Sequence, residues 1–384
     1  MEPTASAIVP GAGPAASPLE TARVWTLHLL CFVLPLTCLA YLLSAPHGRL
    51  QAWPWFLVVV GSVIADMRSP SELRQPAADM SQGPFDAVLY LLVALHLLNV
   101  ALLVRMVALH GFWSANTLVG LLLVGIDSGY CGIVVAHELI HRPQRHMIQL
   151  GRLLLSSVLY EHFTVEHVRG HHARVGTPED PATARFGETA VAFLLRTVPA
   201  QFRSAWRLEK KRLGNEDMAW NDPRMLENRC LHGLVFEWGV ALLVLVLLGR
   251  APFAIYVLQA VMAVRLLEAV NYFEHWGLAR TGRKVTPIDS WDTDSRFTLY
   301  TLVGLSRHAD HHAHAARPYA QLRHFDESPK LPFGYFGTVF LLLFRNAEFR
   351  RLMTRELRRR KLGPFAPGAD ATEAASTAAA AAVA

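Results

Sequence analysis

Charged residues are scarce in this sequence: Asp, Glu, Lys and Arg make up 18% of 384 residues, against 52% hydrophobic, and mean hydropathy is +0.25. Soluble domains carry about 25% charged residues, so an ordinary water-soluble fold is excluded and a lipid bilayer is the expected solvent. Cysteine is scarce as well. Cys31, Cys38, Cys131 and Cys230 stand singly in apolar stretches and form no CxxC pair, which argues against a disulfide framework, a zinc ribbon or a rubredoxin-type centre. Flavin fingerprints and haem motifs are missing too. The amino terminus has no basic region followed by a cleavage site, so residues 1–20, rich in Ala, Pro and Gly, read as a disordered tail and not a signal peptide.

What charge there is leans positive, with a net +6. Nucleic-acid binding is excluded because the Arg and Lys residues alternate with long apolar runs that such a module does not need. Six runs approach the roughly 20 residues of a bilayer-crossing helix: about Val24–Leu43, Leu50–Ala65, Phe85–Ala108, Phe112–Ala136, Leu231–Leu248 and Pro252–Val270. The connectors near His47–Arg49, Leu109–Gly111 and Gly249–Ala251 are short and nearly uncharged. The segment His137–Arg229 and everything after His275 are dense in Arg and Lys, which places both, and both termini, on the cytoplasmic face of the inner membrane. Trp53 and Trp55 read as interfacial anchors. The expected architecture is all-α: a six-helix transmembrane domain over residues 21–345 with a cytoplasmic helical cap, followed by a basic segment and a disordered Ala-rich tail over 346–384.

Histidine is the abundant exception, with fourteen of eighteen between His137 and His324. AHELIHR places His137 and His141 four apart, on one helix face. Alone, HELIH also fits a zinc-protease motif with Glu138 as general base, or a plain helix end. VEHVRGHH supplies His167, His171 and His172; LSRHADHHAH supplies His308, His311 and His312; NYFEHWG supplies His275. A lone histidine is usually a satisfied or surface residue, but nine clustered at one membrane face would leave many imidazole acceptors unsatisfied without a cation. Nine suit two metals, whereas a protease zinc needs three protein ligands. Zn, Cu, Fe and Ni all accept imidazole; an all-imidazole pair against an apolar interior favours iron and redox chemistry on hydrocarbon. A carboxylate stands beside each set, Glu138, Glu166, Glu274 and Asp310, and each is expected to accept the second N–H of a metal-bound imidazole or to be a solvated helix residue. His146, His162, His314 and His324 extend no set. A histidine-rich metal transporter is the non-enzyme alternative, with Asp127, Arg265 and Glu268 the main ionisable residues within the fourth and sixth spans.

HELIHR, EHVRGHH, NYFEHWG and LSRHADHHAH, in this order, resemble the four boxes of the membrane di-iron family of alkane hydroxylases, methyl-arene hydroxylases and fatty acyl desaturases, the alkane hydroxylases above all. The likeness runs from Ala136 to about Gly334, through TPEDPATARFGE and AWRLEKKRL. It departs at Arg142, Trp276, Ser306 and Ala309, and in PIDSWDTDSRF, where the family often has further histidines. The resemblance implies two non-haem irons on His137, His141, His167, His171, His172, His275, His308, His311 and His312. It implies O2-dependent hydroxylation of a terminal methyl group on a hydrocarbon drawn from the bilayer, with electrons from rubredoxin and its reductase, an acidic partner for an Arg-rich surface. Related chemistry on xylene or cymene methyl groups, or on fatty acids by desaturation or decarboxylation to an alkene, is the nearest alternative.

Overall fold

A computed structural model describes residues 17–77 and 80–367; the remaining residues of both expected tails lie outside the described residues. Among those described there is no strand, and six helices are long and apolar enough to cross a membrane. In chain order the elements are α1 (Pro18–Ser44), α2 (Arg49–Met67), α3 (Gly83–His110), α4 (Ala115–Ile140), α5 (Arg145–Ser157), α6 (Ala190–Arg212), α7 (Arg229–Leu248), α8 (Arg250–His275), α9 (His308–Ala313), α10 (Tyr335–Phe344) and α11 (Asn346–Arg360). The candidate spans are α1 to α4, α7 and α8. Each overlaps an expected apolar run and extends it at one or both ends, because polar residues continue the helix where the chain leaves the apolar layer. Residues 18–20, which the sequence reading put in the tail, form the first turn of α1, with Ser17 accepting from the Glu20 amide. Past 345 the packed chain also continues: Phe349, Met353 and Leu357 of α11 are buried.

The three short connectors meet at one end of the bundle. Tyr41 donates to the Asn116 carbonyl, and the His47 amide donates to the Asn116 side chain; Trp55 packs on Tyr41 and His47. Ile255 and Tyr256 of α8 join the same apolar cluster as Tyr41 and Val119. The six helices therefore bring the ends of α4 and α8, at Ile140 and His275, to the opposite end, together with the cap segments 141–228 and 276–334. α2 and α7 leave most of their surface outward, with Leu57, Val235 and Val246 more than 60% exposed. In a water-soluble protein such faces would be aggregation patches; against lipid they are the required surface.

α4 and α8 carry histidines at the ends away from the short connectors, so their separation matters most. They approach closely at Gly125 and Gly129, one turn apart. A Cβ at Gly125 would lie 2.7 Å from Met262 Sδ, and one at Gly129 would lie 3.0 Å from Leu266 Cδ1. In a membrane, where lipid matches the apolar core, such small-residue contacts are a main source of helix association. Over these histidine-bearing ends lies α6, whose buried residues Phe193, Thr197, Gln201, Ala205 and Glu209 recur every four positions. Gln201 donates to Glu268 of α8 at 2.8 Å, and Glu209 accepts from the Arg229 amide at the start of α7. α6 thus straps two spans together.

Gly129→Leu should wedge α4 from α8 and lower the stability of the detergent-solubilised protein by about 1–3 kcal/mol, read as a depressed unfolding temperature. Gly61→Leu on the outward face of α2, where no atom lies within 4 Å of the added Cβ, should leave it unchanged. Equal effects from both would refute the interface.

Candidate metal centre

His137 sits on the last turn of α4 and His141 caps it; His275 ends α8. His167, His171 and His172 lie on the helical stretch 163–174, and His308, His311 and His312 on α9. All nine are brought together, and their ligand atoms divide into two abutting groups. His137, His141, His167, His172 and His311 form one. His171, His275 and His312, joined through His275 to His308 and Glu274, form the other.

The division depends on local winding. Residues 166–171 take the wide π-helical turn, in which positions five apart come into line. His167 and His172 therefore face each other, Nε2 to Nε2 at 3.0 Å, while His171 turns to His312 at 3.3 Å. On α9, the α-helical pair His308 and His312 serves the second group, and His311 turns to His172 at 3.1 Å. His308, His311 and His312, at i, i+3 and i+4 on one short helix, thus straddle both groups.

These distances fit a cation. Two imidazole nitrogens about 2.1 Å from one metal stand about 3.0 Å apart at right angles and about 3.4 Å apart in a tetrahedron, and the facing Nε2 pairs span 3.0–3.4 Å. His172 Nε2 faces two such nitrogens at once, which one N–H cannot satisfy. Burial, helped by mutual repulsion, holds His167, His172, His308, His311 and His312 well below the usual imidazole range and His141 at about 3. Neutral rings with free lone pairs are what a metal requires.

The four carboxylates behave unequally. Glu138 accepts from Arg142 Nε at 2.7 Å and from the Tyr319 amide; Arg142 also reaches Asp86. Glu166 pairs with Arg174. Asp310 takes Arg317, the Arg323 amide and His314. In place of a ligand imidazole, each holds a cation that neutralises it. Glu274 does reach one: Oε2 lies 3.2 Å from His308 Nε2, the same nitrogen that faces His275 at 3.4 Å. That position puts Glu274 among the groups that could hold a metal beside His275 and His308, and it leaves His308 Nδ1 without a partner among the described residues.

The imidazole acceptor that sequence reasoning missed is Asp180. Fully buried, it accepts from His171 Nδ1 at 2.9 Å, from the Thr183 hydroxyl at 2.6 Å and from the Ala182 amide. Burial pushes its carboxyl up, but His171 and Thr183 outweigh that and hold it below the usual range. Its location in TPEDPAT, within a stretch already singled out but carrying no histidine, was the available signal. Of the remaining histidines, His146 bonds Tyr90, His314 bonds Asp310, and His324 lies between Asp294 and Asp326. His162 packs on Tyr160 and Phe202; none joins the centre. The departing segment Pro287–Phe297 buttresses it: the Trp291 amide donates to the Glu274 carbonyl, and the Trp291 indole to that of Trp276.

Six apolar spans, two of which end at the paired imidazole groups, define a polytopic membrane protein with histidine clusters that could hold metal. The fatty acid desaturase family matches residues 111–336, more than half of the chain, and the chain belongs to that family. It is 38% identical over 332 residues to alkane 1-monooxygenase 2 of Pseudomonas aeruginosa, covering 80% of this chain and 85% of the relative. Alkane 1-monooxygenase 2 of Alcanivorax borkumensis is 32% identical, with 87% and 91% covered. The xylene/toluene monooxygenase hydroxylase component of Pseudomonas putida is 25% identical, over 53% of this chain and 55% of the relative.

Asp180→Asn should weaken metal retention about 10- to 100-fold, as loss of a carboxylate that orients a ligating imidazole does, measured by competition with a chelator and metal analysis. Glu138→Gln should leave retention unchanged and lower thermal stability, because Arg142 loses its buried partner. The reverse pattern would overturn the assignment.

Proposed function

We propose that this chain is a membrane di-iron monooxygenase that hydroxylates the terminal methyl group of n-alkanes: RCH3 + O2 + 2 e⁻ + 2 H⁺ → RCH2OH + H2O. The observation that carries this reading is the convergence of nine buried or half-buried imidazoles as five and four, with Glu274, at the ends of two membrane spans and in the cap beside them. Two metal positions with nitrogen-rich donor sets suit a redox pair; a hydrolytic zinc would use three ligands and need a free general base. Glu138, the only acid in HELIH, is occupied by Arg142 and the Tyr319 amide.

When bound, an iron pair supplies reduction of O2 and removal of hydrogen from an unactivated C–H bond. The chain's own residues do the rest. His137, His141, His167, His172 and His311 would hold one iron, and His171, His275, His308 and His312 the other. Asp180 fixes the His171 tautomer so that Nε2 presents its lone pair. Trp276, Trp291, Tyr272 and Tyr335, all fully buried, seal the cap behind the second group and exclude water. An alkane already dissolves in the bilayer, against which the outward faces of α2 and α7 lie, so binding need not draw it from water.

Two electrons must come from outside, and the chain carries no flavin, haem or CxxC signature. We assign the donor as rubredoxin, fed by its reductase. The Arg- and Lys-rich side carries the histidines, which supports a cytoplasmic site in a bacterial inner membrane. Methyl-arene hydroxylation is the second reading, favoured by the similarity to the xylene/toluene component.

Cells expressing this chain with a rubredoxin and reductase, fed medium-chain n-alkanes, p-xylene and fatty acids, should form 1-alkanols, and His312→Ala should abolish them. Methylbenzyl alcohol, an alkene or an unsaturated acid as sole product would keep the metal site and replace the substrate; zinc in the purified protein with no oxidised product would overturn the proposal.

A further inference from the structure

On the same side as the metal centre, an open cavity of about 480 Å³ lies between α6 and the loop that follows the second histidine set. Arg174, Arg185, Arg196, Arg203, Arg207 and Lys211 line it, against only Glu179 and Glu216. Arg174 is committed to Glu166 and Ser204, and Arg196 to Glu188 and two carbonyls. The side chains of Arg185, Arg203, Arg207 and Lys211 form no ion pair among the described residues, and all four residues are exposed. Four unpaired cations around one concave surface repel one another and raise the local potential, so an anionic occupant relieves the strain and is drawn in from a distance.

The sequence of α6 builds this arrangement deliberately. While its buried face runs Phe193, Thr197, Gln201, Ala205 and Glu209, the opposite face runs Val191, Leu195 and Pro199, then Arg203, Arg207 and Lys211, every fourth residue exposed. The cationic half alone borders the cavity. The other wall contains Pro178, Glu179 and Pro181, and between Glu179 and Pro181 stands Asp180, whose carboxylate accepts from the ligand His171 at 2.9 Å. From the cavity surface to a metal-ligand candidate is therefore one residue and one hydrogen bond.

We infer that this cavity is the docking surface for a small acidic electron-carrier protein, which delivers its electron to the second histidine group through the 178–181 wall and the Asp180–His171 bond. Each docked carrier gives up one electron, its own metal being oxidised by one unit and the enzyme's reduced by one, so two encounters supply one hydroxylation. A lipid phosphate would satisfy the charge equally. The adjacency to Asp180 favours a redox partner, because a structural lipid has no use for a short path to a metal ligand. The inference rests on the reading of the chain as a donor-fed monooxygenase.

The test uses the full-length enzyme in nanodiscs and reduced rubredoxin as the probe. Arg203→Glu with Arg207→Glu is compared with Arg351→Glu and Arg355→Glu on α11, an equal charge change at the same four-residue spacing but away from the cavity. The α6 pair should weaken rubredoxin binding at least about ten-fold at low ionic strength, with the difference closing as salt is raised, while the α11 pair should leave it near wild type. Iron content, measured alongside, should not change in either. Wild-type binding that neither pair alters, or that both alter equally, overturns the surface and leaves the enzyme reading intact. Loss of co-purifying phosphatidylglycerol from the α6 variant with unchanged rubredoxin affinity makes the cavity a headgroup site and overturns it too. A wild-type enzyme that hydroxylates alkanes but does not bind rubredoxin overturns both the surface and the choice of donor, whereas absence of hydroxylation under any donor counts against the enzyme reading itself.

Discussion

Nine imidazoles packed into one low-dielectric pocket impose the constraint around which this molecule is organised. A neutral imidazole carries one donor and one acceptor, and buried polar atoms left without partners cost about 1–3 kcal/mol each. Ring centroids here approach to 4.3–4.4 Å, and nitrogens face nitrogens. Such a cluster is unfavourable on its own terms and becomes favourable with cations at its centre. Its position must then be set by forces that do not come from the cluster. The glycine contact of α4 with α8 brings His137 and His275 to a common level, α6 straps α8 to α7, and the buried tryptophans fix α8's exit into the cap.

Charge placement around the centre follows the same logic. Three of the acids beside the histidine sets, Glu138, Glu166 and Asp310, are each matched to an arginine, Arg142, Arg174 and Arg317. Two of the pairs tie their histidine segment to a neighbouring element: Arg142 reaches Asp86 at the start of α3, and Arg174 reaches Ser204 on α6. Neutralised in this way, these carboxylates anchor the segments without adding negative charge at the rings. Asp180 and Glu274 are the acids turned toward the nine clustered imidazoles, and both lie on the four-histidine side. The two histidine groups are therefore electrostatically unequal, with the more anionic environment at the group nearer the basic cavity.

Periodicity in the sequence carried most of this. The six spans were legible because a bilayer demands about 20 apolar residues whatever the tertiary fold, and the convergence of the histidines followed from connector length and charge. The nine candidate ligands were legible by their boxes. Their division was not, because a π-helical turn over 166–171 is invisible to spacing rules that assume 3.6 residues per turn, and it is this turn that pairs His167 with His172. The partners of the acids were not legible either. Adjacency in sequence to a ligand suggested contact with it, yet a residue next to a helical histidine points about 100° away and meets whatever packs there, which for Glu138 is Arg142. Asp180 stayed hidden for the complementary reason: it approaches His171 through a loop turn, at no helical spacing.

The location of the centre also answers a conflict between its reactants. A hydrocarbon is concentrated in the bilayer, whereas electrons and protons arrive from water, and a site buried at mid-membrane would strand one set as surely as a surface site would strand the other. Placing ligands on the last turns of α4 and α8, with the remaining sets on cap segments, puts the centre at the boundary. Lipid-facing spans lie on one side of it, and on the other lies a cap thin enough that Asp180 bridges from a solvent-facing wall to a ligand. The cap must still be tight against water, and the aromatic packing of Trp276, Trp291 and Tyr335 supplies that. Electrons must then cross the seal without opening it. The Asp180–His171 hydrogen bond is placed for such a crossing, since it links the 178–181 wall to a candidate ligand without opening a path for solvent.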